Sequence, residues 1–149
     1  MRVDWKKLAV CIAIPLAVGA LAAALSGGMG EAYFSYVKPP LSPPGWLFPV
    51  VWTVLYGLMG YASYLVLGNR KALLLYGIQL AMNFLWPILF FRIEWVGGAL
   101  VLLLALWVAV LLTIRAFSQV SERAGDLLIP YILWLSFALY LNFGIFLLN

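Results

Sequence analysis

Apolar residues in this chain run together rather than alternating with polar ones. Five stretches, about 8–26, 46–67, 72–91, 96–117 and 127–148, are long and nearly free of charge. Each is close to the roughly 20 residues that an α-helix needs to cross a bilayer. Polar breaks separate them. The first is a Gly- and Pro-rich loop from Gly27 to about Gly45, containing Lys38-Pro39-Pro40-Leu41-Ser42-Pro43-Pro44-Gly45. Gly68-Asn69-Arg70-Lys71 follows, then a short turn with Arg92 and Glu94. The last is a polar link opening at Ser118 and carrying Glu122, Arg123 and Asp126. The pattern predicts an all-α integral membrane bundle of five transmembrane helices, one domain over residues 1–149. Pro15, Pro49, Pro87 and Pro130 fall within the spans, which membrane helices tolerate where neighbours satisfy the freed carbonyls.

Composition sharpens this reading. Of 149 residues, 66% are hydrophobic and 9% charged, whereas a soluble domain carries roughly 25% charge. The mean hydropathy of +1.08 points to lipid as the medium around most of the surface. The basic flank Arg2, Lys6 and Lys7 and the small residues Ala22–Ala24 also fit a secretory signal peptide, an alternative for the first stretch.

The net charge of +4 matters less than its placement, and nucleic acid is not expected as a partner. With five spans, Arg2, Lys6, Lys7, Arg70, Lys71, Arg115 and Arg123 fall on one side, and Lys38 and Arg92 on the other. The positive-inside bias then predicts a cytoplasmic N-terminus, with the Pro-rich loop and the C-terminus outside.

Candidate chemistry is sparse. Histidine is absent and Cys11 is the only cysteine, so no metal site is expected. The acids Glu94, Glu122 and Asp126 fall in turns, which lowers the case for an ion pump. No catalytic residue is assigned. What remains is aromatic and amide content inside the spans. Tyr76, Gln79, Asn83, Trp86 and Phe90 recur at helical spacing on the third; Trp52 and Tyr56 lie one turn apart on the second. Tyr131, Trp134, Ala138 and Asn142 mark the fifth.

Counted at 1.5 Å per residue, Trp52, Asn83, Trp86 and Asn142 reach the half of the membrane bearing the Pro-rich loop, and Trp134 lies deeper. The arrangement predicts an aromatic cavity under a stiff lid. Trp5, Trp46 and Trp95 read as interface anchors, and Trp107 as packing. For Trp52, Trp86 and Trp134 both packing and ligand contact stay open. For Gln79, Asn83 and Asn142, bonding between helices is an equal alternative.

These residues together resemble the translocator protein family, also called tryptophan-rich sensory proteins or peripheral-type benzodiazepine receptors. The likeness covers nearly the whole chain. It rests on Lys38-Pro39 with Pro43-Pro44-Gly45-Trp46, Trp52 and Tyr56; on Gln79, Asn83, Trp86, Phe90 and Phe91; and on Pro130-Tyr131, Trp134, Phe137-Ala138 and Leu141-Asn142. The resemblance implies a five-helix bundle in a bacterial cell membrane, commonly a homodimer. Such proteins bind small hydrophobic ligands in a cavity closed by the first loop.

Protoporphyrin IX or a related tetrapyrrole is the ligand it implies, with no cofactor required. Trp52, Tyr56, Asn83, Trp86, Phe90, Trp134, Ala138 and Asn142 are the implied ligand-binding positions, under a lid of Lys38, Pro39, Pro43 and Pro44. Lys38 or Arg92 would meet propionates at the mouth. Transport of such ligands, light-dependent porphyrin degradation and a structural scaffold are the alternatives. Many relatives carry Trp where Ala32 and Leu41 stand, and losing these indoles is expected to thin the lid. The cholesterol motif of animal members needs a basic residue after a Tyr, and none follows Tyr140. Leu58, Tyr64 and Arg70 satisfy only its loose form.

Overall fold

The structure, a computed structural model, describes residues 2–27 and 33–149. Among them, five passages are long and apolar enough to cross a membrane. They are α1 (Trp5–Leu25), α2 (Leu47–Leu65), α3 (Arg70–Pro87), α4 (Val96–Val120) and a broken fifth made of α5 (Glu122–Leu127) and α6 (Ile129–Leu148). A π-helical turn, Ile88–Arg92, prolongs α3. The chain is an all-α integral membrane protein.

Short polar side chains start three of the helices. The carboxylate of Asp4 accepts from the Lys7 amide at 3.2 Å. The Asn69 side chain accepts from the Ala72 amide at 2.9 Å, and Ser121 accepts from Ala124 at 3.3 Å. Each satisfies an amide that the first turn of a helix leaves unpaired. Trp5, Trp46 and Trp95 lie exposed at helix ends, as interface anchors do. Trp107 does more than pack: its indole donates to Ser136 Oγ at 2.9 Å and ties α4 to α6.

The fifth passage departs from the expected boundaries. α4 continues to Val120, and the segment expected as a polar link is largely helical. Its charged residues Glu122, Arg123 and Asp126 form an exposed face, while Ala124 and Gly125 are buried. Gly125 lies so close to the Ser118 hydroxyl that no Cβ would fit, which lets α5 fold back onto α4. The fifth passage thus starts at Glu122, five residues before the expected Leu127. Pro130 sits in the first turn of α6, where its missing N–H has no helical partner to lose.

Close backbone approaches are made by α1 on α2, α3 on α4, and α4 on α6. Between α2, α3 and α6, long side chains bridge the gap instead. The α1–α2 crossing depends on Gly60. A Cβ there would lie 2.5 Å from the Ile12 Cα and 2.7 Å from the Cys11 carbonyl. One turn of α2 away, Gly19 of α1 faces the Tyr56 ring with no room for a Cβ. Beyond that contact, towards the loop that joins them, the two helices leave a space between them.

Gly57 and Gly60 give a paired test of the crossing. Gly60→Ala should lower stability by about 2 kcal/mol, because backbone on the facing helix must move. Gly57→Ala, whose Cβ meets nothing within 4 Å, should be neutral or mildly stabilising. Thermal denaturation in detergent reads both. Equal effects would contradict the tight crossing.

Candidate ligand cavity

The middle of the bundle is held by a chain of buried polar groups. Tyr56 donates its hydroxyl hydrogen to Asn83 Oδ1 at 2.7 Å. Asn83 Nδ2 donates to the Tyr131 hydroxyl at 2.6 Å, which in turn donates to Gln79 Oε1 at 2.7 Å. Gln79 Nε2 ends the chain on the Tyr76 carbonyl at 3.0 Å. A second link joins Trp86 Nε1 to Asn142 Oδ1 at 3.0 Å, and Asn142 Nδ2 reaches the Val96 carbonyl at 3.2 Å. The interhelical reading of the three amides thus describes this structure. Each amide also lies beside aromatic rings. In a medium without water, an unpaired amide or hydroxyl costs far more than one at a wet surface. This chain therefore fixes how α2, α3 and α6 stand.

Two spaces adjoin it. A cavity of about 220 Å³ lies between α1, α2 and α3, lined among others by Gly19, Ala23, Trp52, Tyr56, Asn83 and Trp86. A second cleft, with only about 10 Å³ of free volume, is walled by Tyr33, Phe90, Trp134, Ala138 and Asn142. Trp52 and Trp86, with Phe48 and Phe91, border both. Trp52 stacks on Tyr56 at 5.5 Å between ring centres and meets Tyr131 edge-on at 6.1 Å. Trp86 stacks on Phe90 at 5.1 Å and meets Phe91 edge-on at 5.8 Å. The π-helical turn makes this double contact available. Its extra residue per turn lets Phe90 and Phe91 both face inward, and both are buried. The indole nitrogen of Trp134 is buried beside the cleft without a hydrogen-bond partner.

The predicted positions thus divide between two compartments. Trp52, Tyr56, Asn83 and Trp86 line the larger space; Trp52, Trp86, Phe90, Trp134, Ala138 and Asn142 line the cleft. The Trp134 ring lies 5.9 Å from that of Phe48, near the loop end of α2, so its side chain reaches the space that Tyr33 of the first loop also walls.

The described part of the first loop, residues 33–45, covers the cleft as a strap. Tyr33 packs edge-on against Phe48 at 5.1 Å and donates to the Pro43 carbonyl at 2.7 Å. Lys38 Nζ sits 4.8 Å above the Tyr33 ring and donates to the Tyr36 carbonyl at 3.1 Å. Burial pushes the Tyr33 phenol above its ordinary pKa, partly offset by a hydrogen bond with Ser42. Burial, and then the Glu94 charge, does the same for Tyr36, so both stay neutral hydroxyl donors.

Leu41 is 85% exposed on a turn with φ +70° and is not among the residues that wall the cleft. Ala32 lies outside the described residues. Arg92 leans towards Gly27, where a Cβ would lie 3.2 Å from its Nη1. Sequence reasoning missed Gly19 and Ala23 of α1, together with Tyr33 and Phe48. The α1 residues are small and apolar, and nothing distinguishes them from lipid-facing neighbours. The stripe of Tyr131 was legible, but not its place at the centre of the polar chain.

Similarity to known proteins spans the helices that carry these residues. The TspO/MBR family profile matches residues 11–148. This chain belongs to the TspO/MBR family. The tryptophan-rich protein TspO of Chlorobaculum tepidum is 41% identical over 150 residues, covering 95% of each chain. The tryptophan-rich sensory protein of Cereibacter sphaeroides is 38% identical over all of this chain and 95% of its own. The translocator protein of Bos taurus is 40% identical over 96% of this chain and 90% of its own. The TspO/MBR membership covers all five passages, including α1, which supplies one wall of the larger cavity.

Removing the central amide tests the polar chain. Asn83→Leu should destabilise the fold by about 2 kcal/mol, since the Tyr56 and Tyr131 hydroxyls both lose a buried partner. Ser136→Ala, which takes the Trp107 bond and a bond to the Ile132 carbonyl from the exposed face of α6, should cost about 0.5 kcal/mol. Denaturation of the purified variants in detergent gives the ranking, and a reversed order would contradict the account.

Proposed function

We propose that this protein is a receptor-like membrane protein that binds porphyrins or similar flat hydrophobic ligands between its stacked aromatic walls. The observation that carries this reading is the pair of spaces divided by Trp52 and Trp86. The larger, at about 220 Å³, is below the roughly 300–1,000 Å³ of most ligand sites. Joined to the cleft by a swing of Trp52, it becomes a slot with indole faces on which a macrocycle stacks. Trp86, held by Asn142, stays as the fixed wall. Trp134 Nε1 then supplies a hydrogen bond to a ligand acceptor. Lys38 at the mouth meets a carboxylate, leaving the Tyr36 carbonyl to do so.

The chain has no histidine, so a metal-free tetrapyrrole suits it better than haem, whose iron would need another axial ligand. The names of two relatives, a sensory protein and a translocator protein, support a role in sensing or handling a ligand, for which a tetrapyrrole is the candidate proposed. The sorting of basic residues supports a cytoplasmic N-terminus in a bacterial cell membrane. A homodimer is the assembly proposed from family resemblance. Transport is the second reading, favoured by the exposed Ala20, Pro49 and Thr53 on the cavity wall between α1 and α2. Ligand flux in proteoliposomes separates it from binding alone. A light-dependent absorbing product would instead show porphyrin breakdown.

Titration of the purified protein with protoporphyrin IX, followed by tryptophan quenching and competed with an isoquinoline carboxamide, tests the reading. Saturable, competed quenching is expected. Trp52→Phe with Trp134→Phe should weaken binding about tenfold, since each indole face contributes roughly 0.5–1.5 kcal/mol, while Trp107→Phe should leave it unchanged. Quenching that never saturates would mean partition into the micelle and would overturn the proposal.

A further inference from the structure

The strap over the cleft is tied to the far end of α6 by contacts that play no part in the walls below. The side-chain amide of Asn149 clasps Val37 from both sides. Its Oδ1 accepts from the Val37 amide at 3.1 Å, and its Nδ2 donates to the Val37 carbonyl at 2.9 Å. The same Nδ2 donates to the Ile145 carbonyl at 2.8 Å, which fixes the amide on the last turn of α6. Tyr140 donates its hydroxyl hydrogen to the Pro40 carbonyl at 2.5 Å. Pro39, buried between these two points, lies against Gly144 so closely that a Cβ there would come within 2.5 Å of its ring.

The opposite edge of the strap is held more weakly. Tyr36 donates to the Phe90 carbonyl at 3.4 Å, within the π-helical turn. Beneath it, only about 10 Å³ is free, so nothing of ligand size reaches the cleft from this side while the strap is down. Val37 is an exposed residue, yet its backbone carries both bonds of the clasp. The fixed φ angles at Pro39 and Pro40 carry that anchorage along the strap, towards the Pro43 carbonyl that holds Tyr33.

We infer that Asn149 and Tyr140 form a latch that sets how fast ligand passes the strap, while leaving affinity nearly unchanged. This rests on the binding reading above and concerns the same cleft. The reason is thermodynamic. A latch that is closed both in the empty and in the occupied protein stabilises both ground states equally, and is broken only during passage. Loosening it therefore speeds association and dissociation together. A residue that shaped the cleft would change their ratio. One that served only stability would shift the melting temperature and neither rate.

The test is stopped-flow tryptophan quenching with protoporphyrin IX on wild type, Asn149→Ala, Tyr140→Phe and the double variant, with dissociation read by displacement. One net hydrogen bond corresponds to about a fivefold change. Tyr140→Phe should thus speed both rates roughly fivefold, Asn149→Ala, which loses both clasp bonds, roughly twenty-fivefold, and the double variant about a hundredfold, with Kd constant within about threefold. Asn149→Asp keeps an acceptor for the Val37 amide but loses the donor, and should fall between wild type and alanine. Tyr140→Phe removes one atom from an exposed side chain and so stands as the decisive variant should the double variant fail to fold. Saturable binding with unchanged rates in folded variants would overturn the latch and place ligand passage elsewhere, such as between α1 and α2. Absence of saturable binding in wild type would instead overturn the binding reading, and the latch with it.

Discussion

Lipid offers no hydrogen bonds, and this constraint shapes the interior of the protein more than any other. Four polar side chains that would each be costly alone, Tyr56, Asn83, Tyr131 and Gln79, are joined into one sequence of donors and acceptors across α2, α3 and α6. Because every member needs its neighbour, the three helices cannot slide or rotate independently. Their backbones need not touch for this. The side chains span the gap, and the gap is where the aromatic spaces lie. The same network that holds the bundle together thus keeps it from closing.

Around this frame the helices differ in how much they commit. α1 packs chiefly on α2 through Gly60, then parts from it towards the loop. α3 changes geometry at Pro87 and enters a π-helical turn, which turns two phenylalanines inward and leaves the Phe90 carbonyl for Tyr36 of the strap. Trp86 stands where these features meet. It is bonded to α6 through Asn142, stacked on Phe90, and shared by the cavity and the cleft. Ordinary packing needs would not place so many rings and so few aliphatic side chains along one internal wall.

The five passages were legible in the chain because apolar length is a one-dimensional property. Helix spacing alone also put Tyr76, Gln79, Asn83, Trp86 and Phe90 on one face, and all five are buried. The start of the fifth passage was less legible. Glu122, Arg123 and Asp126 look like a link, but they are the exposed face of a short helix whose other face, Ala124 and Gly125, is buried. The cavity wall on α1 was not legible because Gly19 and Ala23 resemble residues that face lipid. Nor does local sequence reveal the strap's anchors, since Val37 and Asn149 lie 112 positions apart.

The claim that ligand sits among the inner indoles, rather than at the membrane boundary, is tested most directly by dividing the tryptophans. One protein would keep only Trp52, Trp86 and Trp134, and another only Trp5, Trp46 and Trp95, with phenylalanine elsewhere. Titration of each with protoporphyrin IX should give quenching that saturates near one ligand per chain in the first and a weak, unsaturable decline in the second. Saturation in the second protein and none in the first would place the ligand at the rim and contradict the account.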